Sequence, residues 1–363
     1  MEAQILQREI ERFDPSIPIE EAWTPPASWY VAPAFDHLER QAVFPHTWQI
    51  VGRIADLVQP QSYLSACVAG EPVLVVRDEE GLLRAFHNVC RHKASQLLEG
   101  QGTSERIQCP YHGWVYDLDG TLRSAPRMAG VRDFDRRTFS LAPMAVATWG
   151  HWIFVHGGQP AAKPQAEWKM LQERLQATRW EELRFHSRRE WVIECNWKVY
   201  VDNYLDGGYH VPIMHPSLSE QLSLDSYRTE LFDSFSIQSC GDDQRGPSTN
   251  PRTAGGAVYA WVYPNLMINR YGPCLDTNRV LPLGPTRCRV IDEFWFDGTR
   301  DEAFRQNSIE QSAMTQREDI LISERVQRGL ASPSYDRGRY APKLEIGEHH
   351  FHGLLAHAYR KAT

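Results

Sequence analysis

The stretch CRHKASQLLEGQGTSERIQCPYH, residues 90–112, is the most informative part of the chain. It contains two Cys/His pairs, Cys90 with His92 and Cys109 with His112, and sixteen residues separate the pairs. Thiolates and imidazoles are ligands that proteins use for zinc and for iron–sulfur clusters. The two pairs can present two sulfur and two nitrogen atoms to one inorganic centre, so the stretch predicts a metal site.

The order of the ligands favours an iron–sulfur cluster over zinc. A Rieske [2Fe–2S] cluster has two Cys on one iron and two His on the other. A zinc finger usually keeps its two Cys together and its two His together. Here each half holds one of each, so we predict a Rieske cluster and keep structural zinc as the alternative. The predicted ligands are Cys90, His92, Cys109 and His112.

Length and composition limit the class of protein. The 363 residues, 42% hydrophobic and 23% charged, are enough for two globular domains. The net charge of −7 argues against a nucleic-acid partner. The N-terminus lacks the apolar core of a signal peptide, and no apolar run has the length of about 18 residues that a membrane span needs. We therefore expect a cytoplasmic protein, and we expect the five cysteines outside the pairs to be reduced thiols.

The hydrophobic pattern divides the chain into two domains and an N-terminal arm. Short β patterns predict an all-β domain over 40–157 that holds the metal centre in its loops. Gly157 to Pro160 marks a boundary, and we predict that 1–39 forms a helix and arm packing on the second domain, 158–363. That domain alternates strand patterns with helices at about 196–210 and 302–330. The prediction for it is α+β, an antiparallel sheet with a long helix near the C-terminus.

A second group of candidate ligands lies in NWKVYVDNYLDGGYHVPIMH, residues 196–215. His210 and His215 follow a helix that Gly207 and Gly208 interrupt. Two His and one carboxylate form the facial triad that leaves positions on Fe(II) open for dioxygen and substrate. A late helix offers Asp319, our choice for the carboxylate, and Glu318 as the second choice. A His pair beside glycines is more often a solvent-facing loop, but a one-electron carrier in the same chain favours an iron site.

These segments together resemble the Rieske non-haem iron oxygenases, and within them the choline monooxygenase-like group. The resemblance spans most of the chain and rests on CRHKAS, CPYHGWVYDLDG, NWKVYVDNYLDGGYHVPIMH, YPNLMINRYGP, LPLGP, QREDILISERVQRGL and GRYAPKLEIGEHHFH. It implies a β-rich Rieske domain, a helix-grip catalytic domain and a homotrimer in which each cluster lies beside the mononuclear iron of a neighbouring subunit. It also implies Fe(II) on His210, His215 and Asp319.

The resemblance further implies an acid that connects the two metal centres. Many family members place it three residues before the first iron-binding His, where this chain has Gly207, while Asp206 lies four before His210. Both offsets fall on one face of a helix, so Asp206 is our prediction and Asp202 a weaker substitute. Asn203 is predicted to hydrogen-bond near the iron, with a solvent-facing position as the alternative.

Choline monooxygenases oxidise a quaternary ammonium alcohol, so the resemblance implies hydroxylation of a small quaternary ammonium substrate such as choline or a related betaine. Aromatic faces hold such cations through cation–π attraction. Tyr259, Trp261 and Tyr263 alternate along a predicted strand and are the candidate cage, although ordinary sheet packing explains the same pattern. The alternatives for the whole protein are an oxygenase for aromatic or apolar substrates, and an electron carrier without oxygenase activity.

The expected reaction uses dioxygen and needs electrons from outside the chain. No glycine-rich dinucleotide or flavin fingerprint occurs in the sequence, so we expect a separate NAD(P)H-dependent reductase with flavin and iron–sulfur groups. His349, His350 and His352 lie near the C-terminus without an identified carboxylate or Cys partner, and we predict that they have structural roles.

Overall fold

The computed structural model describes residues 3–216, 227–240 and 257–363. The chain divides into two compact units, one of Met1–Val43 with Trp168–Thr363 and the other of Phe44–Glu167. The boundaries drawn from the sequence, after residues 39 and 157, lie four and ten residues before those of the structure, after 43 and 167. Within the described residues, no helix combines the length and the apolar character that crossing a bilayer requires.

The unit Phe44–Glu167 is built almost entirely of short antiparallel strands. The strands are β1 Gln49–Arg53, β2 Ser62–Val68, β3 Glu71–Arg77, β4 Leu83–His87, β5 Gln101–Thr103, β6 Ile107–Gln108, β7 Val115–Tyr116, β8 Leu122–Ser124, β9 Pro143–Trp149 and β10 Trp152–His156, followed by helix α4, Pro164–Glu167. Seven of these strands form one sheet in the order β1-β10-β9-β4-β3-β2-β5, and three form a small sheet in the order β6-β7-β8.

Sequence explains the central hairpin of this unit. Residues 73–76 of β3 are fully buried β-branched or leucine side chains, which suit a central strand. The turn after β3 is closed by Asp78, whose Oδ1 accepts the amide hydrogen of Leu82 at 2.7 Å. Gly81 has a φ of +82°, which favours glycine at this place in the turn. Strand β4 then leads directly to Cys90.

The second unit is an antiparallel sheet with helices. Its strands, in the order β11-β17-β16-β15-β14-β13-β12, are β11 Arg184–Ile193, β12 Arg228–Leu231, β13 Phe235–Cys240, β14 Ala257–Val262, β15 Leu266–Tyr271, β16 Cys274–Gly284 and β17 Arg287–Phe296. Its helices are α1 Ala3–Glu11, α2 Ser28–Val31, α3 Pro33–Ala42, α5 Lys169–Gln176, α6 Trp197–Leu205, α7 Val211–Met214, α8 Glu302–Leu330 and α9 Ile346–Ala362. The predicted α+β class, an all-β domain with a helix-grip domain, is confirmed.

Helix α8 has the predicted bounds and packs on the sheet, where Ile309 lies in one apolar cluster with Phe294 and Phe296. The helix predicted at about 196–210 is shorter, because α6 ends at Leu205. Its end is set by Gly207 and Gly208, with φ values of +69° and +79° that do not continue a right-handed helix.

A buried ion pair fixes α6 to the N-terminal segment. Lys198 and Glu39 are at most 1% exposed, and their Nζ–Oε1 distance is 2.5 Å. The Glu39 carboxylate also accepts hydrogen bonds from Trp197 Nε1 at 2.6 Å and Tyr359 Oη at 2.5 Å. A buried carboxylate is tolerated when its lone pairs are satisfied in this way. The pair therefore holds α3, α6 and α9 together directly before the segment that carries His210.

Candidate active site

The four predicted cluster ligands lie in two loops on either side of β6. The thiols of Cys90 and Cys109 are buried, and the rings of His92 and His112 lie 4.7 Å apart between centroids. Burial raises the pKa of the Cys90 thiol, and the adjacent Cys109 raises it further. The loops therefore bring two thiols together and two imidazoles together, as a cluster with sulfur ligands on one iron and nitrogen ligands on the other requires.

The two loops share one backbone pattern. In each, the amide of the fourth residue after the Cys donates to the Cys carbonyl, at 3.0 and 3.1 Å. In each, the Cys amide donates to the carbonyl of the fifth residue, at 2.8 Å. Both turns need a left-handed residue, Ala94 with φ +57° and Gly113 with φ +71°. The ligand spacing in the sequence thus reflects two turns of equal construction.

The atoms around His92 fit a bound cluster. Its ring stacks on Trp114 at 4.9 Å, and its Nδ1 is buried without a hydrogen-bond partner among the described residues. A buried ring nitrogen without a partner is costly, and coordination to a metal would satisfy it. Tyr116 packs against the first ligand loop: its Oη lies 3.3 Å from Cys90 Sγ and accepts the Arg91 amide hydrogen at 3.0 Å.

The three predicted iron ligands converge on one point in the second unit. His210 and His215 stand at the two ends of α7, and Asp319 projects from α8. Asp319 Oδ1 lies 2.9 Å from His215 Nε2 and 3.7 Å from His210 Nε2. One donor atom from each residue lies within 4.8 Å of the other two. Two imidazole nitrogens and one carboxylate oxygen at these distances suit Fe(II) with open coordination positions.

A second carboxylate orients each imidazole. Asp206 Oδ2 lies 2.6 Å from His210 Nδ1, and Glu318 Oε2 lies 2.6 Å from His215 Nδ1. Such partners fix the ring and the tautomer, leaving Nε2 for a metal. Burial lowers the pKa of His215, but Asp319 and Glu318 outweigh it and raise the pKa to about 9. Glu318, the second choice for the iron ligand, thus lies on the outer side of His215.

Asn203 and Asp202 diverge although they are neighbours on α6. Asn203 Nδ2 donates to Asp319 Oδ1 at 2.8 Å, so it faces the candidate iron ligands and not solvent. Asp202 accepts a hydrogen bond from Tyr30 at 2.8 Å and lies 3.1 Å from His352 Nε2. Asp202 is therefore engaged in a different cluster from the one that holds His210.

Asp206 reaches His210 across a turn rather than along a helix, which corrects the helical argument for its position. Its carboxylate accepts three backbone amide hydrogens from residues 208–210, at 2.9 to 3.1 Å. A Cβ at Gly207 would stand 2.2 Å from the carbonyl oxygen of Leu344. A side chain at position 207 is therefore excluded, and the acid occupies the preceding position.

A cavity of about 160 Å³ adjoins the triad. Strands β13 to β17, α6 and α8 supply its walls, and its aromatic lining consists of Tyr200, Tyr204, Tyr227, Tyr259, Tyr271 and Phe294. Of the three residues in the predicted cage, Tyr259 lines it. Trp261 instead packs on Phe351 at 5.3 Å and donates to the Pro264 carbonyl, so the cage prediction was wrong for it.

The strand period explains this outcome. Alternate residues share a face, but each step of two advances about 6.6 Å along the strand. Tyr259 therefore lies at the cavity, while Trp261 and Tyr263 lie further along, where Phe351 of α9 covers the sheet. Tyr200 and Tyr204 of α6 were not predicted to line the cavity, because the sequence of this segment indicated only candidate metal ligands and hydrogen-bonding residues.

Two buried carboxylates in the cavity wall were also missed. Asp276 on β16 and Asp292 on β17 are 7% and 4% exposed. The pKa of Asp292 is raised to about 7, chiefly by burial and also by the charge of Asp276, although hydrogen bonds from Trp191 and Asn278 lower it. The signal in the sequence was the presence of acidic residues inside strands, Asp276 in β16 and Asp292 beside Glu293 in β17.

The C-terminal histidines do not join the iron site. His352 is fully buried; Tyr340 Oη lies 2.7 Å from its Nδ1 and Tyr30 Oη 2.8 Å from its Nε2. Its Nε2, Asp202 and Glu348 offer atoms within a metal-binding distance of one another, but tyrosines already engage both ring nitrogens. This geometry supports a structural role.

Family models match both units of the chain. Residues 47–135 match the Rieske [2Fe-2S] domain, and residues 180–361 match the ring hydroxylating alpha subunit (catalytic domain). The chain belongs to the Rieske non-haem iron oxygenases. It is an oxidoreductase with a Rieske [2Fe–2S] domain and a catalytic domain of the kind that binds mononuclear iron. This assignment disfavours structural zinc and a pure electron carrier.

Individual relatives cover nearly the whole chain. The chloroplastic choline monooxygenase of Arabidopsis thaliana is 42% identical over 96% of this chain and 86% of its own length. The carnitine monooxygenase oxygenase subunit of Escherichia coli is 30% identical over 94% of this chain and 95% of its own. A solved quaternary ammonium Rieske monooxygenase with bound L-carnitine has a TM-score of 0.79 and 26% identity, covering 95% and 97% of the two chains.

Proposed function

We propose that this protein is a monooxygenase that hydroxylates a carbon next to the nitrogen of a small quaternary ammonium compound such as choline. The observation that carries the proposal is the tyrosine-lined cavity beside the two His and Asp319. Aromatic faces attract a cation that cannot donate hydrogen bonds. The choline and carnitine monooxygenases among the relatives act on cations of this kind by their names.

The proposed cofactors are one Rieske cluster on Cys90, His92, Cys109 and His112, and one Fe(II) on His210, His215 and Asp319. When bound, the two centres supply electrons and activate dioxygen. The chain's own side chains orient the reaction. Asp206 and Glu318 hold the imidazole rings, Asn203 holds Asp319 through one carboxylate oxygen, and the tyrosines position the substrate and exclude water.

We further propose a homotrimer in which Asp206 connects the iron site to a cluster of the neighbouring subunit. Large apolar side chains are exposed beside both centres: Tyr111 next to His112 is 62% exposed, and Ile213 near His210 is 81% exposed. Such side chains suit a surface that another copy covers. Inter-subunit electron transfer is described for one solved relative, a quaternary ammonium Rieske monooxygenase.

The electron donor in this proposal is a separate NAD(P)H-dependent reductase with flavin and iron–sulfur groups. The cytoplasmic location stays a prediction, and the plant relatives are named as chloroplastic. Hydroxylation of an aromatic or apolar substrate is disfavoured, because two buried carboxylates in the cavity wall suit a cation better than a hydrocarbon.

Anaerobic purification, iron and sulfide counting, and oxygen uptake with product analysis test the proposal. Substrates are choline, glycine betaine, carnitine and simple aromatics, with a reductase supplying electrons. We expect three irons per chain, two in the cluster and one on the triad, and oxidised product from a quaternary amine. Product from aromatics alone would reject the substrate class, and two irons without oxygen uptake would reject the oxygenase.

A further inference from the structure

The cavity wall opposite α6 and α8 is acidic. Asp276 and Asp292 come from neighbouring strands, where Asp292 pairs in register with Asn278, two residues after Asp276. Both carboxylates line the same cavity as the candidate iron ligands. Neither takes part in holding the histidines, because Asp206 and Glu318 do that.

The hydrogen bonds of Asp292 come from neutral groups. Trp191 Nε1 donates to its Oδ2 at 2.6 Å and Asn278 Nδ2 to its Oδ1 at 2.9 Å. Arg189, which pairs with Asp292 in the sheet register, forms its ion pair with Glu310 of α8 instead. Among the described residues that line the cavity there is neither lysine nor arginine. The hydrogen bonds to the Asp292 carboxylate therefore come from uncharged donors, and the described lining of the cavity adds no lysine or arginine.

A buried carboxylate in such surroundings is unfavourable, and its pKa rises accordingly. Two charged groups on packed elements change the pKa of Asp292: Asp276 on β16 raises it and Arg189 on β11 lowers it. Burial raises the pKa of Tyr200 on α6, and the charge of Asp292 contributes to that rise. A cation in the cavity stabilises the ionised form of Asp292. A substrate carboxylate in the same place is repelled, because like charges close together in a desolvated site are costly.

We propose that Asp292, with Asp276 beside it, determines substrate specificity by pairing with the ammonium group and by rejecting substrates that carry a carboxylate. The site then prefers a cationic alcohol such as choline to the zwitterions glycine betaine and carnitine. The inference rests on the proposed function and narrows it. Tyr204, Tyr259 and Tyr271 supply the aromatic faces, and the two carboxylates supply the charge.

The test compares choline with its neutral isostere, 3,3-dimethylbutan-1-ol, in which carbon replaces the nitrogen. The proteins are wild type, Asp292→Asn, Asp292→Glu and Asp276→Asn. Asp297→Asn is the matched control, because Asp297 follows the end of β17 and does not line the cavity. Iron content and thermal stability are measured for each protein, and kcat/KM is measured for both compounds and for glycine betaine.

We expect Asp292→Asn to lower kcat/KM for choline roughly 10- to 100-fold, mainly through KM, and to leave the neutral isostere nearly unchanged. Asp292→Glu retains part of the preference for choline over the isostere. Asp276→Asn lowers this preference by less than Asp292→Asn does, and Asp297→Asn leaves it at the wild-type value. A merely structural effect would lower kcat/KM for both compounds by the same factor. If Asp292→Asn does not fold, Asp276→Asn decides the point.

The outcomes separate this inference from the proposed function. Wild type that oxidises choline, with an unchanged ratio of choline to isostere in both Asn variants, overturns the inference and keeps the function. Wild type that prefers glycine betaine or carnitine to choline also overturns it. Wild type that oxidises no quaternary ammonium compound overturns the proposed function itself.

Discussion

The two candidate metal sites are built in different ways. The cluster ligands lie within residues 90–112, and backbone hydrogen bonds inside each loop shape the turns. The iron ligands are the two His at the ends of α7 and Asp319 of α8, 104 residues after His215, and a side-chain hydrogen bond joins His215 to Asp319. The first site depends on local backbone geometry and the second on long-range packing. Each site should therefore be removable without destroying the other.

Exchanging one ligand in each site tests this independence and has the largest expected effect. Asp319→Ala should lose the mononuclear iron and lower product formation roughly a thousandfold or more, while the visible spectrum of the cluster persists. Cys109→Ala should lose the cluster and keep the triad able to bind one Fe(II). Glu302→Gln, on the same helix as Asp319 but exposed and outside the cavity lining, is the control. Loss of both centres in either ligand variant contradicts separate construction.

Asp206→Asn probes the connection between the sites. The variant keeps the size of the side chain but weakens its hydrogen bond with His210 Nδ1, which is 2.6 Å long in the native protein. We expect both metals to be retained and turnover to fall about 10- to 100-fold. Turnover near the wild-type rate would contradict the proposal that Asp206 connects the two metal centres for electron transfer.

Gly207→Ala tests how the long-range site is supported. The φ of +69° and the approach of a Cβ to the Leu344 carbonyl oxygen, 2.2 Å, both oppose any side chain. We expect the free energy of unfolding to fall by about 2–4 kcal/mol. Gly284→Ala is the matched control, since no atom lies within 4 Å of its added Cβ. Equal stability of the two variants in denaturant unfolding would contradict this account of the turn.

Glu318→Gln should have a smaller effect than the exchange of Asp319. Glu318 contacts the outer nitrogen of His215, at 2.6 Å, so its loss disturbs the ring without removing a ligand. We expect iron affinity to fall about 10-fold, measured by competition with a chelator. An effect as large as that of Asp319→Ala would mean that Glu318 is the carboxylate ligand.

The smallest predicted effect is a pH dependence. Burial raises the pKa of Asp292 to about 7, above its ordinary value of 3.8. The native state thus binds a proton that the unfolded chain has released between about pH 4 and 7, so this residue lowers stability as pH rises through that window. Ionised Asp292 attracts the cation, so kcat/KM for choline should fall as pH drops below about 7. Asp292→Asn should flatten that limb of the profile, and an unchanged limb would assign it to another group.

The contrast between the sites also explains what could be predicted from the sequence. Cys90, His92, Cys109 and His112 stand in a contiguous pattern because their turns are local, and the pattern alone indicated a mixed-ligand cluster. Asp319 was chosen from a late helix because the two His need a carboxylate, with Glu318 as the second choice, and the resemblance then implied Asp319 as well. No spacing rule relates either residue to His210. The end of α6 at Leu205 followed from glycines that the sequence displays, although the predicted helix ran on to about 210.

The lining of the cavity beside the triad was the part of the site that the sequence predicted least well. The strand period placed Tyr259 and Trp261 on one face correctly, but it carries no information on which residue lies at the cavity and which lies under α9. The surroundings of Asp292 are set by its hydrogen-bond donors Trp191 and Asn278, which lie on the two strands that flank its own. Such neighbours are set by sheet order, which the sequence does not state.

A single-turnover experiment tests the central claim most directly. Protein with a chemically reduced cluster and iron on the triad is mixed with dioxygen and choline, and cluster oxidation and product are followed together. We predict that wild type forms product as its cluster is oxidised, and that Asp319→Ala, with a cluster equally reduced, forms none. Product from Asp319→Ala in the wild-type amount would contradict a catalytic centre at His210, His215 and Asp319.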